Sequence, residues 1–296
     1  MTCSVLITNY NTWALTHRAV WSVRAFSTDG PTPEIIVVDD ASENDPDVVA
    51  ALLTVPNLRL HRNETNRGYV RSVNTGVGLC TSELILLLDS DAHLLSSFSQ
   101  PLSQLFTNNP RLGAVGLHLV DQQGQPTGNA GSEPSAWTLL LGQRLYGLMR
   151  PNRSHHNLVV YSCGMAFRKA AFMAVGGFDE RFDFLDADVD FSMTLRRHGW
   201  TLATTQRVSA CHTGGGSPQL TSKRVVRFYK NRYALLTKYQ KITRAGCFST
   251  ALLARLLAEY GFLKLAAPWL YPDTHVRQDK LNGRRALIHL IYTRFA

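Results

Sequence analysis

Three consecutive apolar residues, Val5, Leu6 and Ile7, stand between Ser4 and Thr8, and a run so short and β-branched predicts a buried strand over 4–8. Apolar positions then recur at helical spacing over 13–26, and a second β-branched run over 34–38 ends in Asp39 and Asp40. The unit is strand, helix, strand. The alternation continues with a helix over 47–53, a strand over 58–61, a helix over 69–79 and a wholly apolar strand over 84–88 that meets Asp89, Ser90 and Asp91. Strands that are apolar throughout are covered on both faces. The pattern therefore predicts an α/β class, with a Rossmann-like, mostly parallel central sheet flanked by helices.

A helix over 98–108 and a strand over 113–120 complete this half. Residues 121–156 are rich in Gly, Pro, Gln and Ser and predict a loop-rich excursion. Regular structure resumes over 158–168, followed by a short helix from Lys169, a turn at Gly176, Gly177 and Phe178, and a helix over 190–198. Beyond Pro218 the spacing predicts a basic helix over 223–239. A largely apolar helix over 248–265, a Pro-Trp-Leu-Tyr-Pro break at 268–272 and a last basic helix over 284–292 follow. This divides the chain into a main domain, 1–240, and a helical C-terminal extension, 241–296. No internal repeat or low-complexity tract interrupts it.

With 296 residues, 45% of them hydrophobic, the chain can bury a full core. Lys and Arg number 31 against 22 acidic residues, a net charge of +9 that favours an anionic partner: a nucleotide, a nucleic acid or an acidic membrane surface. The five cysteines are scattered and never spaced Cys-x-x-Cys, so they predict neither a disulfide framework nor a zinc knuckle, and they fit a reducing cytoplasm. The N-terminal apolar stretch is too short for an export signal.

Asp89 and Asp91 carry the chemistry. Open α/β sheets bind ligands beyond the carboxyl ends of their strands, and two carboxylates there suit a divalent cation bridging phosphate oxygens. An acidic turn capping a helix near Ser96 is the competing reading. For Asp39 and Asp40 the competing reading is a helix cap shared with Ser42.

Eight short stretches in order carry a resemblance: Val5 to Asn11, Ile35 to Ser42, Asn66 to Gly76, Asp89 to Asp91, Gly176 to Phe182, Asp188 to Phe191, Arg197 to Trp200 and His212 to Ser217. Together they resemble the family 2 glycosyltransferases of GT-A fold, in the rhamnosyltransferase-like branch, over roughly residues 3–240. The resemblance implies that 1–120 is the nucleotide-sugar half and 121–240 the acceptor and catalytic half. It places the nucleotide against Thr8, Asn9, Tyr10, Asp39, Asp40, Arg67, Gly68, Arg71, Asp89 and Ser90. It makes Asp89 and Asp91 a DXD motif that, with His212, holds Mg2+ or Mn2+.

By the same resemblance Asp188 is the base that takes a proton from the acceptor hydroxyl. The family carries Glu-Asp here, whereas Ala187 precedes Asp188 in this chain. The implied reaction is single displacement with inversion, moving a sugar such as rhamnose from a UDP- or dTDP-linked donor to a surface glycan or lipid-linked acceptor, with no nucleic acid involved. A nucleotidyltransferase, or a catalytically silent nucleotide- or carbohydrate-binding module, are the alternatives. Trp137, Tyr146 and Trp200 are candidates for stacking on a sugar ring. The apolar, basic C-terminal helices, with Arg255, Lys264, Arg284, Arg285 and Arg294, leave three uses open: peripheral contact with the cytoplasmic face of a membrane, packing on the main domain, or a homodimer interface.

Overall fold

The computed structural model describes residues 1–142, 145–146, 148, 157–214 and 221–294. Part of the predicted excursion, and Gly215, Gly216 and Ser217 of the last motif, lie outside the described residues. By contact the chain forms two compact units, residues 1–133 with 154–217 and residues 134–153 with 218–296. The boundary drawn at 240 from the sequence differs because the basic helix before it groups with the helices after it.

The first unit is built on β1 (Cys3–Asn9), α1 (Trp13–Ala25), β2 (Glu34–Asp39), α2 (Pro46–Leu53), β3 (Leu58–Arg62), α3 (Tyr69–Leu79), β4 (Leu84–Asp89), β5 (Ala92–Leu94), α4 (Ser99–Asn108) and β6 (Leu112–Val120). β7 (Ala130–Ser132) pairs with β8 (Leu158–Val160) as a separate ribbon; the second unit's α5 (Ala136–Leu141) lies between them in sequence. β9 (Gly164–Arg168), α6 (Lys169–Ala174), α7 (Ala187–Arg197) and β10 (Thr201–His212) finish this unit. The main sheet has the order β3-β2-β1-β4-β9-β6-β10-β5. The pairs from β3 to β4 are parallel, as is β6 with β10. β9 runs antiparallel between β4 and β6, and β5 runs antiparallel to β10.

The apolar strands are interior strands for the expected reason. Val5, Leu6, Ile7, Ile35 to Val38 and Leu84 to Leu88 are all fully buried, covered on both faces. α3 lies close against β1 and β2 at Gly76, where any Cβ would collide with the Leu6 side chain. The predicted continuous segment over 158–168 is two strands, β8 and β9, separated by a turn at Ser162 and Cys163. β10 had no clear signal, because it is polar, half exposed and irregular between Thr204 and Ser209.

The second unit comprises α5, α8 (Thr221–Lys238), α9 (Ala245–Leu270) and α10 (Thr274–Arg294). α9 continues past the expected end at 265, and the chain breaks only at Tyr271 and Pro272. Leu139, Tyr229, Tyr233, Leu236, Leu252, Leu256, Leu287 and Ile291 form its core. Glu259 of α9 receives Arg255 at 3.1 Å and Arg284 of α10 at 2.8 Å, which ties the two long helices together. Among the described residues, no helix is long and apolar enough to cross a membrane.

Candidate active site

Register sets the site. Asn9 stands beside Asp39, Asp39 beside Arg62, and Thr8 beside Asp89, so the carboxyl ends of β1 to β4 line up polar groups along one edge. β9 begins at the same edge, where Gly164 pairs with Leu88. β10 brings His212 there too, paired with Ala92 just after the acidic turn.

Asp89, Asp91 and His212 each offer one ligand atom, and these lie within 4.8 Å of one another. His212 Nε2 is 3.2 Å from Asp91 Oδ1 and 4.0 Å from Asp89 Oδ2. The backbone N–H and the hydroxyl of Thr213 each donate to the Asp91 carbonyl at 3.1 Å, fixing the end of β10 against the turn. Burial and the neighbouring Asp91 push the Asp89 carboxyl up to about 6, although His212 pulls it down. The hydrogen bond with Asp91 raises the His212 imidazole against the opposing effect of burial. Two crowded carboxylates and an imidazole are a donor set that suits a divalent cation, so the residues present fit the ion the resemblance implies.

Two further groups join this cluster to Asp188. The Tyr69 hydroxyl donates to Asp89 Oδ1 at 3.1 Å and also interacts with Ser162. The Ser162 N–H in turn donates to Asp188 Oδ2 at 3.1 Å. The backbone takes a left-handed conformation at Asp186, with φ of 68°, so that α7 starts immediately and sets Asp188 in its first turn. Asp186 occupies the helix-cap position without a side-chain cap bond, so a capping role does not account for the aspartates here. Burial pushes the Asp188 carboxyl up to about 6; the Ser162 and Val189 amides lower it, and Asp186 and Asp89 raise it. Such a carboxylate is ionised at neutral pH yet holds a proton more tightly than an ordinary one. Between these groups, Cys163 is held as a neutral thiol by burial and by Asp89, Asp188 and Asp91, and it donates to Asn129 Oδ1 at 3.3 Å.

On the other side of the edge, Asp39 is fully buried. Its oxygens accept from Asn9 Nδ2 at 2.7 Å, from Arg62 Nε at 2.9 Å and from the Ser42 hydroxyl and N–H. Asp40 accepts from the N–H groups of Arg67 and Gly68 and from Asn63, each at 2.8 Å. Neither caps α2, whose cap is Asp45. These carboxylates shape the loop before α3, whose Gly68 has φ of 87°. Tyr10 and Arg67 are exposed, Thr8 is half-buried, and Ser90 accepts from Thr12 at 2.8 Å. Arg71 pairs with Glu180 at 3.0 Å.

The glycine motif is scaffold. Asn74 of α3 exchanges hydrogen bonds with the Phe178 backbone, 2.9 Å to its carbonyl and 3.0 Å from its N–H. Phe178 packs in an aromatic cluster with Phe172 and Phe191. Gly177 has φ of 77°, and a Cβ there would lie 2.8 Å from the Phe172 ring. Trp200 packs on Gly113 at the opposite end of the sheet, which removes it from any sugar contact. Arg62, Tyr69 and Ser162 are the site residues the motif reading missed. Only Tyr69 carried a signal, inside the Asn66 to Gly76 stretch.

Residues 4–176 match the family model described as Glycosyl transferase family 2. A glucosyl-dolichyl phosphate glucuronosyltransferase of Haloferax volcanii is 26% identical over 60% of this chain and 54% of its own length. An N-acetylglucosaminyl-diphospho-decaprenol L-rhamnosyltransferase of Mycobacterium tuberculosis is 24% identical over 60% of this chain and 64% of its own. The matches thus span only about half to two thirds of these curated relatives. Among solved structures, the mannosyltransferase PcManGT of Pyrobaculum calidifontis, in complex with GDP-Man and Mn2+, superposes with a TM-score of 0.58 at 16% identity. It covers 97% of this chain and 86% of its own. GalNAc-T7 with UDP, GalNAc and Mn2+ also gives 0.58, at 14% identity, covering 80% of this chain and 48% of its own.

Proposed function

Because the chain belongs to glycosyl transferase family 2, with the α/β architecture of GT-A enzymes, we propose that it transfers a sugar from a nucleoside diphosphate to an acceptor hydroxyl by single displacement with inversion. The observation that carries this reading is Asp188, set in the first turn of α7 and linked through Ser162 and Tyr69 to the Asp89 side of the cation cluster. Asp188 accepts the acceptor's proton as its oxygen bonds to the anomeric carbon. The anomeric bond to the diphosphate breaks on the opposite face, and its electron pair leaves with the nucleoside diphosphate. Asp89, Asp91 and His212 would hold Mg2+ or Mn2+, which when bound would supply neutralising charge for that leaving group. Tyr69 orients Asp89, while Asn9, Tyr10, Asp40, Arg67 and Gly68 form the nucleotide side, with Asp39 acting through Arg62 and Asn9.

A UDP or dTDP donor, rhamnose as the sugar, and a surface-glycan or lipid-linked acceptor in the cytoplasm are the finer assignments. The name of the rhamnosyltransferase relative supports rhamnose and a lipid-linked acceptor, and that of the glucuronosyltransferase relative supports a lipid-linked acceptor. A silent binding module is the second reading, suggested by the missing glutamate. Ala187 is itself buried, whereas Asp188 is partly open, so the proton acceptor does not depend on position 187.

The test is sugar transfer by wild type, Asp188→Asn and Asp91→Ala. Asp188→Asn is expected to lower kcat by roughly 10²- to 10⁴-fold, the contribution of a positioned base, with nucleoside diphosphate affinity within about twofold of wild type. Asp91→Ala is expected to lose metal-dependent donor binding. Wild-type turnover by Asp188→Asn removes the base assignment, and pyrophosphate as the product identifies a nucleotidyltransferase.

A further inference from the structure

The charge of this protein is sharply divided. The helical unit holds 18 of the 31 basic residues and three of the 22 acidic ones, Glu259, Asp273 and Asp279, which makes it +15 and the α/β unit −6. The net charge of +9 is therefore the sum of an acidic unit carrying the site and a strongly basic unit without it.

α9 adds a second, independent observation. Leu252 and Leu256 face the helical core, yet another side of the same helix is also apolar and open to solvent. Leu257, Phe262, Leu265 and Trp269 recur at helical spacing; Leu265 is 83% exposed and Trp269 90%. Ala258 and Gly261, also exposed, fill the stripe between them. From 257 to 269 it runs about 18 Å along the helix, far more continuous than the isolated apolar residues normal on a surface. Lys264 projects beside it, and Arg244 and Arg285 are exposed on the same unit. Arg255 and Arg284, by contrast, are held on Glu259.

We propose that this stripe seats the helical unit on an anionic bilayer surface, with Phe262, Leu265 and Trp269 entering the headgroup boundary and the basic residues meeting lipid phosphates. A helix with an apolar side and a cationic setting lies in the interface plane, and tryptophan favours that depth. Attraction of the whole basic unit to acidic lipid adds to the apolar insertion. A second copy is the poorer occupant, because it would bring +15 against +15. A nucleic acid would use the charge and leave the apolar stripe without a function. The proposal is independent of the reaction assigned above.

The test is co-sedimentation of the full chain with phosphatidylglycerol/phosphatidylcholine vesicles and with phosphatidylcholine alone. Binding to the anionic vesicles is expected, falling at least about tenfold without phosphatidylglycerol and weakening with salt. Leu265→Glu/Trp269→Glu is expected to lower partitioning at least about tenfold with unchanged circular dichroism. Brominated lipid is expected to quench wild-type tryptophan fluorescence, and Trp269→Phe is expected to lose that quenching while still binding. This arm stands even if the double variant misfolds. Failure of wild type to bind anionic vesicles, undiminished binding by a folded double variant, or absence of quenching overturns the proposal. So does a wild-type dimer that the double variant converts to monomer.

Discussion

The base role proposed for Asp188 pulls against the burial of its carboxyl. Its carboxyl is raised to about 6 mainly by burial, so the folded protein binds that proton more tightly than the unfolded chain does. The stabilisation is fully present below the unfolded value near 3.8 and is lost as pH rises through about 6. At neutral pH the ionised, partly desolvated group is a cost to the fold and, in the proposed reaction, the form that accepts the proton. Two outcomes are expected. The transfer rate should climb through about pH 6 as the base ionises. Between pH 7.5 and 4, wild type should gain on the order of 2 kcal/mol relative to Asp188→Asn, read as the change in the difference between their urea midpoints. The comparison cancels most other carboxylates, since both proteins share them. An equal difference at both pH values would mean that Asp188 has an ordinary pKa.

At the scale of elements, the glycine motif does the positioning. The turn at Gly176 and Gly177 hangs on Asn74 of α3 and on the Phe172, Phe178 and Phe191 cluster, and α7 follows within ten residues. Gly177→Ala meets both a positive φ and the Phe172 ring. It is expected to cost about 2–4 kcal/mol in unfolding free energy, and activity should fall further than stability alone explains as Asp188 shifts. Strands and helices with strong periodicity were legible from the sequence because one residue type per face is enough to declare them. β10 was not, since its polar residues and irregular register hide the period. The same limit applied to the site. Asp89 and Asp91 stood out by residue type, Asp188 and His212 only through the family resemblance, and the structure brings Asp89, Asp91 and His212 together. Tyr69, Ser162 and Arg62 are ordinary residues whose roles depend only on which strand end lies beside which. The pairing of Arg71 with Glu180 likewise spans a distance in sequence that no local pattern encodes.

For the molecule as a whole, the division into an acidic α/β unit and a basic helical unit would separate the proposed work of holding a donor from that of meeting a surface. A donor-site ligand should therefore register as added stability without any lipid present. A nucleoside diphosphate with Mn2+ at ~100 times its dissociation constant adds about 2.7 kcal/mol, a rise in Tm of roughly 5–10 °C for a unit of this size. Thermal scans with UDP, dTDP, GDP and CDP are expected to show this for the cognate carrier and to lose it with chelator. No shift with any carrier would favour the silent-module reading.

The three groups of the candidate cation cluster come from the middle and the end of the main unit's sequence. Asp89 and Asp91 flank the turn into β5, and His212 ends β10, the strand that β5 pairs with. His212 lies 123 residues beyond Asp89, so during synthesis on a ribosome the first four parallel strands can emerge and begin to pair before the histidine is made. A nascent chain therefore has two of the three proposed cation ligands in hand long before the third, and the full set would exist only once β10 has paired between β6 and β5. Cation binding at the proposed site would thus be a property acquired at the close of the sheet's assembly, and lost when its histidine-bearing strand comes loose.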